Sequence, residues 1–324
     1  MHYGVKLEDF GERWREAMRE WTGGYSARTE DDAAEQAFWK GFMKERSFRA
    51  PDSYSQPIWE EVKRLVEGAD VKDILEIGPG WGNYTFRLAS CCERLECVDL
   101  SEDVLDFIRR EGRRLGYEIR IRQVKWEAYE GAGSDLIFGY NCFYRMKEIE
   151  HSLRKINQKA RRLCVIGMTS GPEQPYFKEM ERTLGVAVKY HRLDYIYLVN
   201  ILYQLGIDCN VKILPLTKTY RFSSLEEAAR KESSRILKGT YDLDAVKGIL
   251  KKYLKQSPDG SWTYEHHHNG AVIWWTPACS PLPYSRRRWH SGFSDTRCKA
   301  GIGKRPESGN LYHFPDSYCR GRGR

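Results

Sequence analysis

The chain has 324 residues, of which 41% are hydrophobic and 13% aromatic, with a formal net charge of +8. That is enough apolar material for a packed core, which excludes a disordered protein, and no apolar run approaches the roughly 18 to 20 residues that span a bilayer. Of the 53 Lys/Arg and 45 Asp/Glu, residues 286–324 hold ten and three, so the other 285 residues carry 43 against 42 and are neutral. The nine cysteines are odd in number and scattered, with no C-x-x-C pair. This argues against a disulfide framework or a zinc site, and for a reducing cytoplasm.

In chain order, residues 1–70 read as an N-terminal helical cap. "LEDFGERWREAMREW" has apolar residues at helical spacing and no signal-peptide core, and "SQPIWEEVKRLVEGA" places Pro57 near a helix start. From Val71 short apolar runs alternate with helices. "DILEIG" is a strand, followed by a glycine turn and a helix from about Asn83. "LECVDL" is the next strand, and "SEDVLDFIRREGRRLG" is a helix with Ser101 as N-cap. "EIRIRQ", "DLIFGYN" and "RLCVIGM" follow as strands, with "EIEHSLRKINQKAR" a helix before the last. This alternation predicts an α/β, doubly wound, mostly parallel sheet with helices on both faces.

Beyond Thr169 an insertion over about 170–208 looks helical. "NVKILPLTKTYRF" reads as a strand, "SLEEAARKESSRILKG" and "LDAVKGILKKYLKQ" as helices, and "GAVIWWTP" as the closing strand. Residues 279–324 have no hydrophobic periodicity and are rich in Gly, Ser, Pro and Arg, so the expectation is a basic, disordered tail.

The distinctive stretch is "LEIGPGWGNYTFRLA", with Gly78, Gly80 and Gly82 at alternate positions after a strand ending in Glu76 and Ile77. Glycine lets a loop turn sharply and lets a ligand approach the backbone. A dinucleotide fingerprint would be G-x-G-x-x-G, and its third glycine position is Asn83 here; the phosphate-loop signature is also missing. The pattern E-x-G-x-G-x-G resembles the first motif of the class I, Rossmann-like S-adenosylmethionine-dependent methyltransferases of small-molecule type. The second strand ends in Asp99, seventeen residues after Gly82, where that family holds ribose hydroxyls with a carboxylate.

That resemblance implies a seven-stranded sheet with its last strand antiparallel. It also implies S-adenosyl-L-methionine as cofactor, S-adenosyl-L-homocysteine as product, and contacts from Glu76, Gly78, Pro79, Gly80, Gly82, Tyr84, Asp99, Leu100, Trp126, Glu127, Tyr140 and Asn141. Trp126 would pack on the adenine and Glu127 accept from its amine. The implied activity is in-line methyl transfer to a small-molecule acceptor, catalysed mainly by positioning. A general base is needed only if the acceptor loses a proton, and the candidates are His151, His191, His266 and Tyr140. The "EHHHNG" run is not read as a metal site, because side chains alternate along a strand; His266 and His268 would share a face. Two alternatives stay open: a nucleic-acid methyltransferase using the basic tail, and a non-catalytic module that keeps the cofactor fold. Nucleic acid is the disfavoured acceptor, because the fourth strand ends in "NCFY" without the prolines of a base-nitrogen motif. The acceptor atom and the oligomeric state are not legible.

Overall fold

A computed structural model of the chain describes residues 8–44, 53–190 and 193–277. The basic tail and His191 lie outside the described residues. The chain opens with α1 (Phe10–Met18), α2 (Ala27–Glu30), α3 (Asp32–Lys44) and α4 (Gln56–Gly68). Then come β1 (Asp73–Ile77), α5 (Thr85–Ala89), β2 (Arg94–Asp99), α6 (Glu102–Arg114), β3 (Ile119–Gln123), β4 (Ser134–Tyr140), α7 (Ile149–Lys159) and β5 (Ala160–Ser170). The second half holds α8 (Pro175–Leu184), β6 (Ala187–Val188), α9 (Tyr195–Gln204), β7 (Asn210–Phe222), α10 (Leu225–Ser233), β8 (Ile236–Lys238), α11 (Leu243–Leu250), β9 (Lys255–Gln256) and β10 (Trp262–Trp275).

The main sheet runs β3-β2-β1-β4-β5-β10-β7, with the two-residue β9 added on β10. It therefore has eight strands where seven are expected. β1 to β5 are parallel, and β10 is antiparallel to both β5 and β7. The order reverses between β1 and β4, and ligands of doubly wound sheets bind at such a switch point, beyond the carboxyl ends of the strands. β3 and β7 are the two edges.

Strand alternation assigns the layers. Leu75, Ile77 and Ile137 face α1, α7 and α9, where Trp14, Ile149, Leu153, Leu198 and Ile201 complete one core. Ile74, Leu136 and Phe138 face the other way, against Ile58, Val62, Leu88, Val104 and Ile108 of α4, α5 and α6. A third cluster, with Tyr176, Phe177, Phe222, Ala228 and Val246, packs α8, α10 and α11 beside β7.

Local chemistry explains several boundaries. The Ser101 hydroxyl accepts from Val104 N at 3.4 Å, acids fill the first turn of α6 and Arg113 and Arg114 its last, matching the helix dipole. α8 begins at Pro175 and stops at Gly185 in the left-handed region. The helix expected from Asn83 starts at Thr85. The helix read over 243–256 ends at Leu250, because Lys255 and Gln256 pair with Thr263 and Trp262 of β10. A division at residue 70 also splits the sheet layers, since α4 contributes Ile58, Trp59 and Val62 to the core on β1 and β4.

α1 is tied to the body. Trp14 is fully buried and its Nε1 donates to Met146 O at 2.8 Å. Phe10 N donates to Gln204 Oε1 at 3.1 Å, joining α1 to α9.

Candidate functional site

The carboxyl ends of β1, β2 and β4 open into a cavity of about 820 Å³. That is at the upper end of the roughly 300–1,000 Å³ typical of small-molecule sites. Its floor is the loop after β1. Gly78 has φ +62°, and a Cβ there would come within 2.6 Å of Cys142 Cβ, so only glycine fits between β1 and the loop after β4. Gly80 has φ +54° and lies under the ring of Trp39. Eleven of the twelve residues expected around the cofactor line this cavity: Glu76, Gly78, Pro79, Gly80, Tyr84, Asp99, Leu100, Trp126, Glu127, Tyr140 and Asn141.

Gly82 is the exception. It is not on the cavity, and a Cβ there would meet Phe86 at 2.5 Å and Ile108 at 3.2 Å. Its small size serves the packing of α5 on α6 rather than a ligand. Trp126 also departs from expectation. Its indole is 3% exposed, stacks on Tyr129 at 5.6 Å and donates to Ser152 O at 3.2 Å, so it is fixed in the core and not free to cover an adenine.

Two carboxyls stand at the strand ends. Glu76 is 2% exposed, with Cys97 Sγ 3.6 Å from its Oε2. Burial, with the charge of Asp99 adding to it, pushes its pKa up to about 7. Asp99 accepts from Ser101 N at 2.8 Å; burial, and then the charge of Glu35, pushes it up to about 7 as well. For both acids the cost of burial outweighs the hydrogen bonds that they accept.

At the end of β4, Asn141 has φ +55°, and its Oδ1 accepts from Thr169 N at 2.8 Å and from the Tyr144 hydroxyl at 2.9 Å. The next residue inward, Tyr140, is 7% exposed, and its hydroxyl is buried without a hydrogen-bond partner among the described residues. Burial raises its pKa well above the ordinary tyrosine value, so it is a donor and not a base.

The histidines separate from this site. His151 is exposed on α7 and does not line the cavity. His266 is 8% exposed on β10, stacked on His268 with ring centroids 5.1 Å apart, and burial lowers its pKa to about 4. His266 and His268 do share a face, while His267 points out to Glu265. No histidine lines the cavity among the described residues, and no group of three His, Cys, Asp or Glu there could hold a metal.

The opposite wall comes from residues that sequence patterns did not single out. The C-terminal end of α1 contributes Met18 and the turn after it Trp21, and α2 and α3 contribute Arg28, Thr29, Glu35 and Trp39. Tyr144 to Met146 and Val188 to Tyr190 complete it. Glu35 is its hub: Arg28 Nε and Nη2 donate to it at 2.5 and 3.0 Å, and Trp39 Nε1 at 2.9 Å. The signal that was available is the spacing of four between Glu35 and Trp39, which puts them on one face of α3; Arg28 comes from α2 and had no such signal. α3 also brings aromatic rings to the cavity. Trp39 lines it, and Phe42 contacts Trp81 at 5.5 Å.

Residues 74–164 match the family model of a methyltransferase domain. This segment carries the glycine loop, Asp99, Tyr140 and Asn141. No curated protein matches the chain significantly. Among solved structures, the chain is similar to the YcgJ protein of Bacillus subtilis, at 12% identity over 68% of this chain and 99% of that one, with a TM-score of 0.46. It is similar to magnesium protoporphyrin IX methyltransferase of Synechocystis, solved with bound S-adenosylhomocysteine, at 12% identity, 76% and 100% coverage and a TM-score of 0.44. The phosphoethanolamine N-methyltransferase 2 of Haemonchus contortus, in complex with phosphomonomethylethanolamine and S-adenosylhomocysteine, is 18% identical over 85% of this chain and 61% of that one, with a TM-score of 0.44.

Proposed function

We propose that this chain is an S-adenosylmethionine-dependent methyltransferase acting on a small molecule. The observation that carries the reading is the convergence of the glycine loop, Glu76, Asp99 and the end of β4 on one cavity at the sheet's switch point, inside the segment that matches a methyltransferase domain.

The donor chemistry of the site fits that cofactor. The loop at Gly78 and Gly80 offers backbone that a methionyl group can approach closely. Asp99 offers oxygens to two vicinal hydroxyls, and Leu100 and Glu127 flank the adenine position. Glu76, buried at the end of β1, lines the cavity floor and, when ionised, adds negative potential beneath a cationic ligand. When bound, S-adenosylmethionine supplies a sulfonium-activated methyl group. The protein's part is then to hold two partners in line and to exclude water. Tyr140 and Asn141 stand where cofactor and acceptor would meet. No base is assigned.

The division we propose is residues 71–278 as the methyltransferase domain, with α1 to α3 as the cover of the acceptor side. α4 belongs to the sheet-packing layer.

The test is calorimetric titration of S-adenosylhomocysteine into the wild type and an Asp99→Ala variant. Micromolar binding that weakens about tenfold or more in the variant supports the reading. A folded wild type that binds nothing overturns it.

A further inference from the structure

The cations of the cavity wall are nearly all matched. Arg28 is bidentate on Glu35, Lys189 Nζ lies 2.7 Å from Glu20 Oε2, and Lys125 is paired with Asp32. Arg145 differs from these three. Its Nη1 donates to Ser26 Oγ at 3.0 Å and Thr29 Oγ1 at 3.3 Å, both neutral. The nearest carboxylate is Glu35, 3.9 Å from its Nε, and that carboxylate is already held by Arg28 and Trp39. No other acceptor among the described residues lies within hydrogen-bonding distance. A guanidinium has five donors in a planar fork, so most of this one's capacity is unused.

One carboxylate, Glu35, serves both Arg28 and Arg145, so the two guanidiniums keep an excess of positive charge over it. Burial, and then the neighbouring Arg28, hold the Arg145 pKa below its ordinary value. Hydrogen bonds to two neutral hydroxyls do not by themselves repay the burial of a cation that shares its one nearby carboxylate. Met18, Trp21 and Met146 bring apolar surface to the same half of the cavity.

We propose that this half of the cavity binds a carboxylate or phosphate group of the methyl acceptor through Arg145, with Arg28 beside it, while the apolar wall takes the rest of the molecule. The planar fork matches either oxyanion in a bidentate geometry. The proposal deepens the methyltransferase reading and rests on it for the word acceptor.

The experiment is fluorescence titration of the full chain, with and without saturating S-adenosylhomocysteine. The probes are two matched pairs: phenylbutyrate against phenylbutyramide, and phenyl phosphate against phenol. At least one oxyanion is expected to bind about tenfold tighter than its neutral partner. Which pair shows the preference separates carboxylate from phosphate. The preference should vanish in Arg145→Met and in Arg145→Gln, which keeps a polar amide without the charge, and survive in part in Arg145→Lys. Equal affinities, no binding of either oxyanion at millimolar concentration, or a preference that persists in Arg145→Gln overturns the proposal. Should S-adenosylhomocysteine fail to bind while the preference holds, the methyltransferase reading falls and the anion site stands. Binding of S-adenosylhomocysteine without any preference gives the reverse.

Discussion

The two halves of the cavity are built by opposite means. The half under β1, β2 and β4 is made of strand ends and the turns that follow them, so its geometry is inherited from hydrogen-bonded ladders such as Glu76 beside Cys97. It is acidic and exposes backbone. The other half is assembled from the end of α1, from α2 and α3, and from the segment after β6, and it is cationic and aromatic. The first half is set by the sheet. The second depends on a few tertiary anchors.

The sharpest way to break the contrast is to remove an anchor. Trp14→Ala deletes a fully buried indole and its bond to Met146 O, and should lower unfolding free energy by about 3–5 kcal/mol in chemical denaturation. A loss below about 1 kcal/mol would mean that α1 is not needed by the core. The cofactor half breaks differently. Gly78→Val places a branched side chain at φ +62° against Cys142, and should weaken S-adenosylhomocysteine by about a hundredfold, or ~2.7 kcal/mol, in calorimetry.

Acidity gives a finer probe. Asp99 and Glu76 both rest near 7 in the free protein, and a hydroxyl donor needs Asp99 ionised, so binding expels a proton. Affinity for S-adenosylhomocysteine should be full above about pH 7 and fall about tenfold per unit below it for one coupled proton. The free protein has the opposite sign. Because these folded pKa values lie above 3.8 and 4.5, the two carboxyls contribute stability that is complete at acid pH and is lost as pH rises through about 7. A flat affinity profile between pH 5 and 8 would remove Asp99 from the contact. The smallest effect tests whether the halves communicate. Glu35 raises the pKa of Asp99, so Glu35→Gln should move the midpoint of that profile to lower pH by a fraction of a unit.

The same contrast explains what could be read in the sequence. β1, the glycine turn and Asp99 lie within 27 consecutive residues, Asp73 to Asp99, and each carries a local signature. The wall opposite brings together Arg28, Glu35 and Arg145, which are separated by up to 117 positions and share no motif. Gly82 was legible as a special glycine, but not as one set by the ring of Phe86. His266 looked available from its alternation on β10, yet Tyr264 and His268 stack on either side of it. Backbone constraints are written in neighbours along the chain; pocket walls are written in packing.

The ends of the sheet carry a further consequence. β7, which closes one side, contains Pro215 in mid-strand and the lysines Lys212 and Lys218, and β3, which closes the other, alternates Arg120 and Arg122. An incoming strand would meet a missing amide donor on one margin and repelling charge on both. The ladder therefore resists fibrillar growth at either margin, even though Val211 and Ile213 of β7 are 37% and 41% exposed.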